Sequence, residues 1–188
     1  MNRTADDSPA GLRAAREHWR WRGQGRPPFA AVPGPEQFSV WDYPRPPCLA
    51  PETREVVVRW GDVEVARTRR ATRVLETSQP PSFYLPWDDV ARHLLQPAAG
   101  NSFCEWKGPA RYRTLADGER CLARVAWSYP SPLAGAEVLA HCVAFYPQDL
   151  ACSVDGAVVQ PQPGGFYGGW ITPELTGPFK GESGSEGW

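Results

Sequence analysis

The stretch VVVRWGDVEVARTRRATRVLE, residues 56–76, carries the clearest secondary-structure pattern of this chain. Apolar residues occupy alternate positions in residues 56–60 and again in residues 63–65, and Gly61-Asp62 separates the two runs. Such alternation places the apolar side chains on one face of a β-strand. A glycine-containing pair between two such runs is typical of a tight turn. The stretch therefore predicts a β-hairpin.

Further strands follow the same pattern along the chain. Asp117-Gly118 lies between two alternating runs and predicts a second hairpin, and Asp155-Gly156 lies between the last two predicted strands. The segments 88–95 and 134–140 predict two short helices, the first of them capped by Asp88. Seven or eight short strands with one or two short helices indicate a mainly-β domain.

The predicted β domain covers residues 54–159 and lies between segments of different composition. Residues 1–53 form an N-terminal arm ending in a proline-rich strap; residues 10–22 have the composition of a short helix, but we expect the arm to be solvated. Because an X-Pro step disfavours helical backbone, we expect the strap, residues 38–51, to lie extended across the domain rather than in its sheet. Residues 160–188 form a tail with eight glycines and several large aromatic residues, which we expect to dock on the domain or on a partner.

The composition excludes several classes of protein. The 188 residues include 20 basic and 21 acidic side chains, whereas a nucleic-acid-binding domain normally has a clustered basic excess. No apolar run reaches the roughly 18 residues that a membrane span needs. The amino end lacks the apolar segment of a signal peptide, and the five cysteines and three histidines show no metal-ligand spacing. We therefore expect a cytoplasmic protein with reduced thiols, no metal, no cofactor, and neither nucleic acid nor a membrane as partner.

Three segments of the predicted domain resemble the DUF427 domain family of bacteria and fungi, which is sometimes labelled nucleotidyltransferase-like. They are VLETSQPPSFYLPWDDVARHLL (74–95), SFCEWKGPARYRTL (102–115) and AWSYPSPLAGAEVLAHCVAFY (126–146). The flanking VWDYPRPP (40–47) and PGGFYGGW (163–170) resemble the extended bacterial subgroup of that family.

The resemblance covers about residues 54–150 and implies a β-tent, or Mss4-like, fold, in which two small antiparallel sheets pack at an angle. Several proteins of that fold hold zinc through paired cysteines, and this chain lacks such pairs. The nucleotidyltransferase label implies metal-bound carboxylates and a phosphate cradle. No phosphate-binding motif is present, so nucleotidyl transfer is the weakest of the functional hypotheses.

Four residues are candidates for catalysis. Glu76 follows a predicted strand and is either a base in a cleft or an ion-pair partner of Arg73 or Lys107. Cys104 is either a nucleophile with a lowered pKa or a buried thiol beside a surface lysine. Nearly all cations here are arginines, so Lys107 suggests a role for a compact ammonium or a removable proton. His141 is either an acid–base group or a core histidine.

Aromatic residues on separate predicted strands are the main candidates for binding a ligand. Together they form either a core or a cage that stacks on a small molecule. The candidate binding residues are Tyr84, Trp106, Tyr112, Trp127, Tyr129 and Tyr146, with Arg70 and Arg73 as possible anion contacts.

The leading hypothesis is a protein that holds a small polar or aromatic molecule in an aromatic-lined cleft, with metal-independent acid–base chemistry of the lyase, isomerase or hydrolase type open to it. The alternative is a non-catalytic interaction module whose aromatic tail binds a partner or a second copy in a homodimer.

Overall fold

Two antiparallel sheets form the body of the protein, whose computed structural model describes residues 8–188. The seven-stranded sheet has the order β2-β5-β6-β10-β9-β8-β7: β2 Cys48–Glu52, β5 Ala71–Leu75, β6 Ser82–Pro86, β10 Cys142–Phe145, β9 Arg120–Ser128, β8 Gly108–Asp117 and β7 Leu95–Cys104. The four-stranded sheet has the order β12-β11-β3-β4: β12 Ala157–Val158, β11 Ala151–Val154, β3 Val56–Trp60 and β4 Val63–Thr68. The prediction of a mainly-β fold built on two antiparallel sheets is confirmed.

Both predicted hairpins are present. Trp60 pairs with Val63 across the first turn, and Asp117 pairs with Arg120 across the second. Each turn contains a glycine with a positive φ, 58° in the first and 59° in the second, a conformation that glycine adopts without a Cβ clash. The alternating pattern and the turn residues agree, so these two elements follow directly from local sequence.

The predicted helices of the body are wrong in type. Residues 88–95 form two short 3₁₀ turns, Trp87–Asp89 and Arg92–Leu94, and residues 134–140 correspond to a 3₁₀ turn over Glu137–His141. The first helix is interrupted because Val90 has extended backbone angles and forms a β-bridge with the four-stranded sheet. In the described part of the chain, the one α-helix is α1, Pro9–Glu17, in the arm.

The strap and the tail are parts of the folded body. Strand β2, at the end of the strap, pairs with β5 along its whole length, so the expectation that the strap stays out of the sheet is wrong. In the tail, β13 (Gln160–Pro161) pairs with β14 (Trp170–Ile171), and β15 (Leu175–Thr176) pairs with β1 (Phe38–Ser39) of the arm. Residues 1–7 of the predicted arm lie outside the described residues.

The two faces of the seven-stranded sheet have different roles. Phe83 and Leu85 of β6 pack against Val56 and Val58 of the four-stranded sheet and form the main core. Trp170 of the tail is fully buried in the same core, where its ring stacks on Phe83 at 4.9 Å. Since successive side chains of a strand point to opposite faces, the residues between these core positions face away from it, towards the arm and the tail.

Candidate functional site

A cleft of about 170 Å³ lies on the face of the seven-stranded sheet that is turned away from the main core. Its floor is a row of side chains across four neighbouring strands. Tyr84 of β6 pairs with Ala144 of β10, Ala144 pairs with Trp127 of β9, and Trp127 pairs with Tyr112 of β8. Tyr129 and Tyr146, which directly follow β9 and β10, complete the aromatic wall.

The small side chain of Ala144 lets the two large rings on either side of it meet. Tyr84 and Trp127 pack edge to face with their centroids 6.0 Å apart, and the Trp127 indole Nε1 donates a hydrogen bond of 3.1 Å to the Tyr84 hydroxyl. Tyr146 lies 4.4 Å from Trp127, and the Tyr112 hydroxyl donates to Ser102 Oγ at 2.9 Å. These contacts hold the rings in fixed orientations around the cavity.

Two buried phenol groups of the cleft, those of Tyr84 and Tyr129, are neutral over the physiological pH range. Burial raises the pKa of Tyr84 to about 12, against the opposing effect of the nearby Lys107 ammonium. Burial also raises the pKa of Tyr129 well above its usual value. These tyrosines therefore present hydroxyl groups, not phenolates, to anything that enters.

Lys107 lies in the turn between β7 and β8 and places an ammonium group in the cleft. Burial disfavours the charged form, but interactions with Cys104, Tyr84 and Glu76, including a side-chain hydrogen bond to Cys104, outweigh burial and raise the pKa of Lys107. Among the described residues, none of the ion pairs includes Lys107. The lysine therefore keeps its proton, and the expected role of a removable proton does not fit this environment.

Cys104, at the end of β7, also lines the cleft. Burial raises the pKa of its thiol, and the opposing effect of Lys107 is smaller. Of the two alternatives for Cys104, this pKa agrees with the buried thiol and not with the nucleophile of lowered pKa. A protonated thiol is a poor nucleophile, because the thiolate is the reactive form.

Glu76 follows β5 and borders the cleft, but its partner is a residue of the strap. Its Oε1 accepts a hydrogen bond from Arg45 Nε at 3.0 Å, and both side chains are buried. The guanidinium of Arg45 donates two further bonds, each 2.8 Å long, to main-chain carbonyl oxygens. Neither expected ion-pair partner of Glu76 is used; Arg73, one of the two, instead pairs with Glu52 at 3.3 Å.

The arm and the tail border the mouth of the cleft. Trp19 Nε1 donates to Glu105 Oε1 at 2.6 Å, and Arg16 Nε donates to the Glu105 carbonyl oxygen at 2.9 Å. From the tail, Tyr167 and Gly168 line the cavity, and a Cβ on Gly168 would lie only 2.2 Å from the Trp127 ring.

Sequence reasoning missed Trp19, Arg45 and Glu105. For Tyr167, the sequence offers one indication, which is the occurrence of large aromatic residues among the glycines of the tail.

Nine of the twelve predicted site residues line this one cavity, and three do not. The nine are Glu76, Tyr84, Cys104, Trp106, Lys107, Tyr112, Trp127, Tyr129 and Tyr146. His141 is exposed at the end of a 3₁₀ turn, Arg70 is exposed and pairs with Asp89 at 2.6 Å, and Arg73 is held by Glu52. Within residues 8–188, no three His, Cys, Asp or Glu side chains are grouped so that they could hold a metal ion.

A family model described as a domain of unknown function (DUF427) matches residues 48–160, which is more than half of the chain. The chain belongs to the DUF427 family. The match begins at β2, the strand that joins the strap to the sheet, and includes the entire floor of the cleft. Trp19, Arg45 and Tyr167 lie outside the matched segment, so the mouth of the cleft comes from the flanking regions of this DUF427 protein.

A comparison with curated proteins finds no match for this chain. None of the helices described here has the length and apolar character that crossing a membrane requires.

Proposed function

We propose that this DUF427 protein binds a small, single-ring molecule in its aromatic cleft. The observation that supports this most directly is the cavity itself, which is bordered by fixed aromatic rings, neutral phenol groups and the Lys107 ammonium. A cavity of roughly 150 Å³ accommodates a benzene-sized ligand. The volume of about 170 Å³ therefore suits one ring with a small substituent.

Binding is better supported than acid–base catalysis. An efficient general acid or base has a pKa near the working pH. In this cleft the pKa values of Cys104, Lys107 and Tyr84 are all raised above their usual values, and Glu76 is held by a buried arginine. The single-ring volume also argues against a nucleoside triphosphate as the occupant.

The alternative of an interaction module with a partner-binding tail has less support. Trp170 of the tail is fully buried in the core of its own chain, and Lys180 is 1 % exposed. Lys180 Nζ donates to three main-chain oxygens of residues 185–188. The residues that would hold this tail on a partner are therefore already bound to its own chain.

The five cysteines form no disulfide, which supports the proposed location in the reducing cytoplasm.

The test is a ligand-observed NMR titration of the full chain with phenol and benzamide, two neutral single-ring probes. Ser102→Trp places a large side chain into the cleft from β7, and Asn101→Trp makes the same change at the neighbouring exposed position. We expect both probes to bind the wild type and Asn101→Trp, and to lose binding to Ser102→Trp. Absence of binding to the wild type, or equal binding to Ser102→Trp, would contradict the proposed function.

A further inference from the structure

Lys107 places a positive charge among the aromatic side chains of the cleft. Two carboxylates border the same cavity, but each already has a donor of its own. Arg45 forms the buried ion pair with Glu76, and the Trp19 indole donates to Glu105 at 2.6 Å. Among residues 8–188 Lys107 takes part in no ion pair, and Glu76 acts on its charge only at longer range. A half-buried ammonium in such a place favours an anionic ligand.

The residue before Lys107 has a donor without an acceptor. The indole nitrogen of Trp106, the preceding residue, is buried and makes no hydrogen bond. Buried polar groups are nearly always paired, so a native exception calls for an explanation. Because this nitrogen is buried, an oxygen of a ligand in the cleft reaches Lys107 and not Trp106.

The charge balance limits the ligand to one negative charge. Phosphate esters carry about 1.5–2 negative charges near neutral pH and are usually held by arginine forks or by several backbone N–H groups. Here one ammonium is available, and the Glu76 and Glu105 carboxylates would repel a second negative charge. A carboxylate carries a single charge, which matches the one ammonium group that lines the cleft.

We infer that the ligand is a single-ring aromatic carboxylate, with its ring between the aromatic side chains of the cleft and its carboxylate at Lys107. This inference rests on the proposed binding function and specifies the class of ligand. The neutral tyrosine hydroxyls favour the ring and its polar substituents without adding charge.

The test compares three planar probes of nearly equal shape: benzoate, benzamide and the benzamidinium ion, with charges of about −1, 0 and +1 at neutral pH. Calorimetric titrations use the full chain as wild type and as Lys107→Met. Arg69→Met removes one positive charge from an exposed position outside the cleft and is the matched control. Lys107→Arg keeps the charge, and the thermal midpoint of each variant reports whether it is folded.

We expect wild type and Arg69→Met to bind benzoate at least about tenfold more tightly than benzamide, and benzamidinium most weakly, since a charged hydrogen bond is stronger than a neutral one. Lys107→Met should bind benzoate and benzamide about equally, and Lys107→Arg should keep the preference for benzoate.

Equal or tighter binding of benzamide by the wild type would overturn the inference, as would a benzoate preference that survives in Lys107→Met. Tighter binding of the dianion phenylphosphonate than of benzoate would also overturn it. If benzamide binds without any preference for benzoate, the binding function stands and the ligand class is wrong; if no probe binds, the binding function itself fails.

Discussion

Replacing Arg45 by methionine should destabilise the protein strongly, because it would leave the Glu76 carboxylate buried without its partner. The ion pair between them spans 3.0 Å, and the two side chains are 1 % and 8 % exposed. Methionine keeps most of the length of arginine, so the variant removes charge and hydrogen bonds with little loss of packing.

The expected magnitude depends on this burial. Exposed ion pairs contribute about 0–1 kcal/mol to the free energy of unfolding. Removal of one partner from a buried pair costs about 3–5 kcal/mol, because the other charge is left unpaired in a poorly solvated place. Arg45 also donates to two carbonyl oxygens, so we expect the upper part of that range. Typical total stabilities are about 5–15 kcal/mol, so a loss of this size is readily measured.

The assay is urea unfolding followed by the fluorescence of the nine tryptophans, with the free energy of unfolding obtained by linear extrapolation. The double variant Arg45→Met/Glu76→Gln removes both charges and should recover about 2 kcal/mol relative to Arg45→Met alone. Arg26→Met breaks an exposed ion pair with Asp42 in the same arm and is the matched control. It should unfold at the same urea concentration as the wild type.

A loss of less than about 1 kcal/mol in Arg45→Met would refute the reasoning, because that is the behaviour of an exposed pair. So would a double variant no more stable than Arg45→Met, since the unpaired carboxylate would then not be the cause. Either result would mean that Arg45 and Glu76 are solvated in solution, and the strap would not be a fixed wall of the cleft.

Three further predictions concern pH, packing and thiol chemistry. The pKa of Tyr84 rises from 10.0 to about 12 on folding, so the folded state holds this proton more tightly; the resulting stability is complete below pH 10 and is lost as pH rises towards 12. Between pH 10 and pH 12 the free energy of unfolding, measured by urea titration, should therefore fall by about 3 kcal/mol less in Tyr84→Phe than in the wild type. An equal fall in both proteins would contradict the raised pKa of Tyr84. Gly168→Ala, whose added Cβ would lie 2.2 Å from an indole ring, should lower the free energy of unfolding by about 1–3 kcal/mol, whereas Gly25→Ala, with nothing within 4 Å, should not. Ellman's reagent at neutral pH should modify the exposed Cys48 and Cys121 rapidly and the three other thiols slowly; a fast third thiol would argue against the protonated, enclosed state of the cleft cysteine.

Local sequence predicted the strands well because each strand needs only its own alternation and its turn. The hairpin over residues 56–65 and the one around Gly118 both have alternating side chains and a glycine at the turn, and the chain needs no distant residue to form them. The helix predicted at Asp88 failed for the opposite reason. Val90 forms a bridge to Ala66 of another sheet, and that tertiary contact overrides a weak local helix signal.

The sequence indicates the aromatic residues of the cleft as binding candidates, but it does not predict how they are arranged. The alternation of side chains along a strand predicts only that Tyr84 and Trp127 each lie on one face of their own strand. Only the strand order puts Ala144 between them, with room for the two rings to meet above its small side chain. Strand order depends on contacts between distant parts of the chain, which a local pattern does not contain.

The sequence by itself determined the class of fold, the two hairpins, the family and most of the side chains from which the cleft is built, because these depend on periodicity, turn chemistry and short motifs. The tertiary structure decided which charges are paired. Arg45 meets Glu76 from 31 positions away, and Trp19 reaches Glu105 across 86 positions. Those two contacts give both carboxylates of the cleft a donor and leave Lys107 outside the ion pairs of residues 8–188, because a charge finds its partner through space and not along the chain.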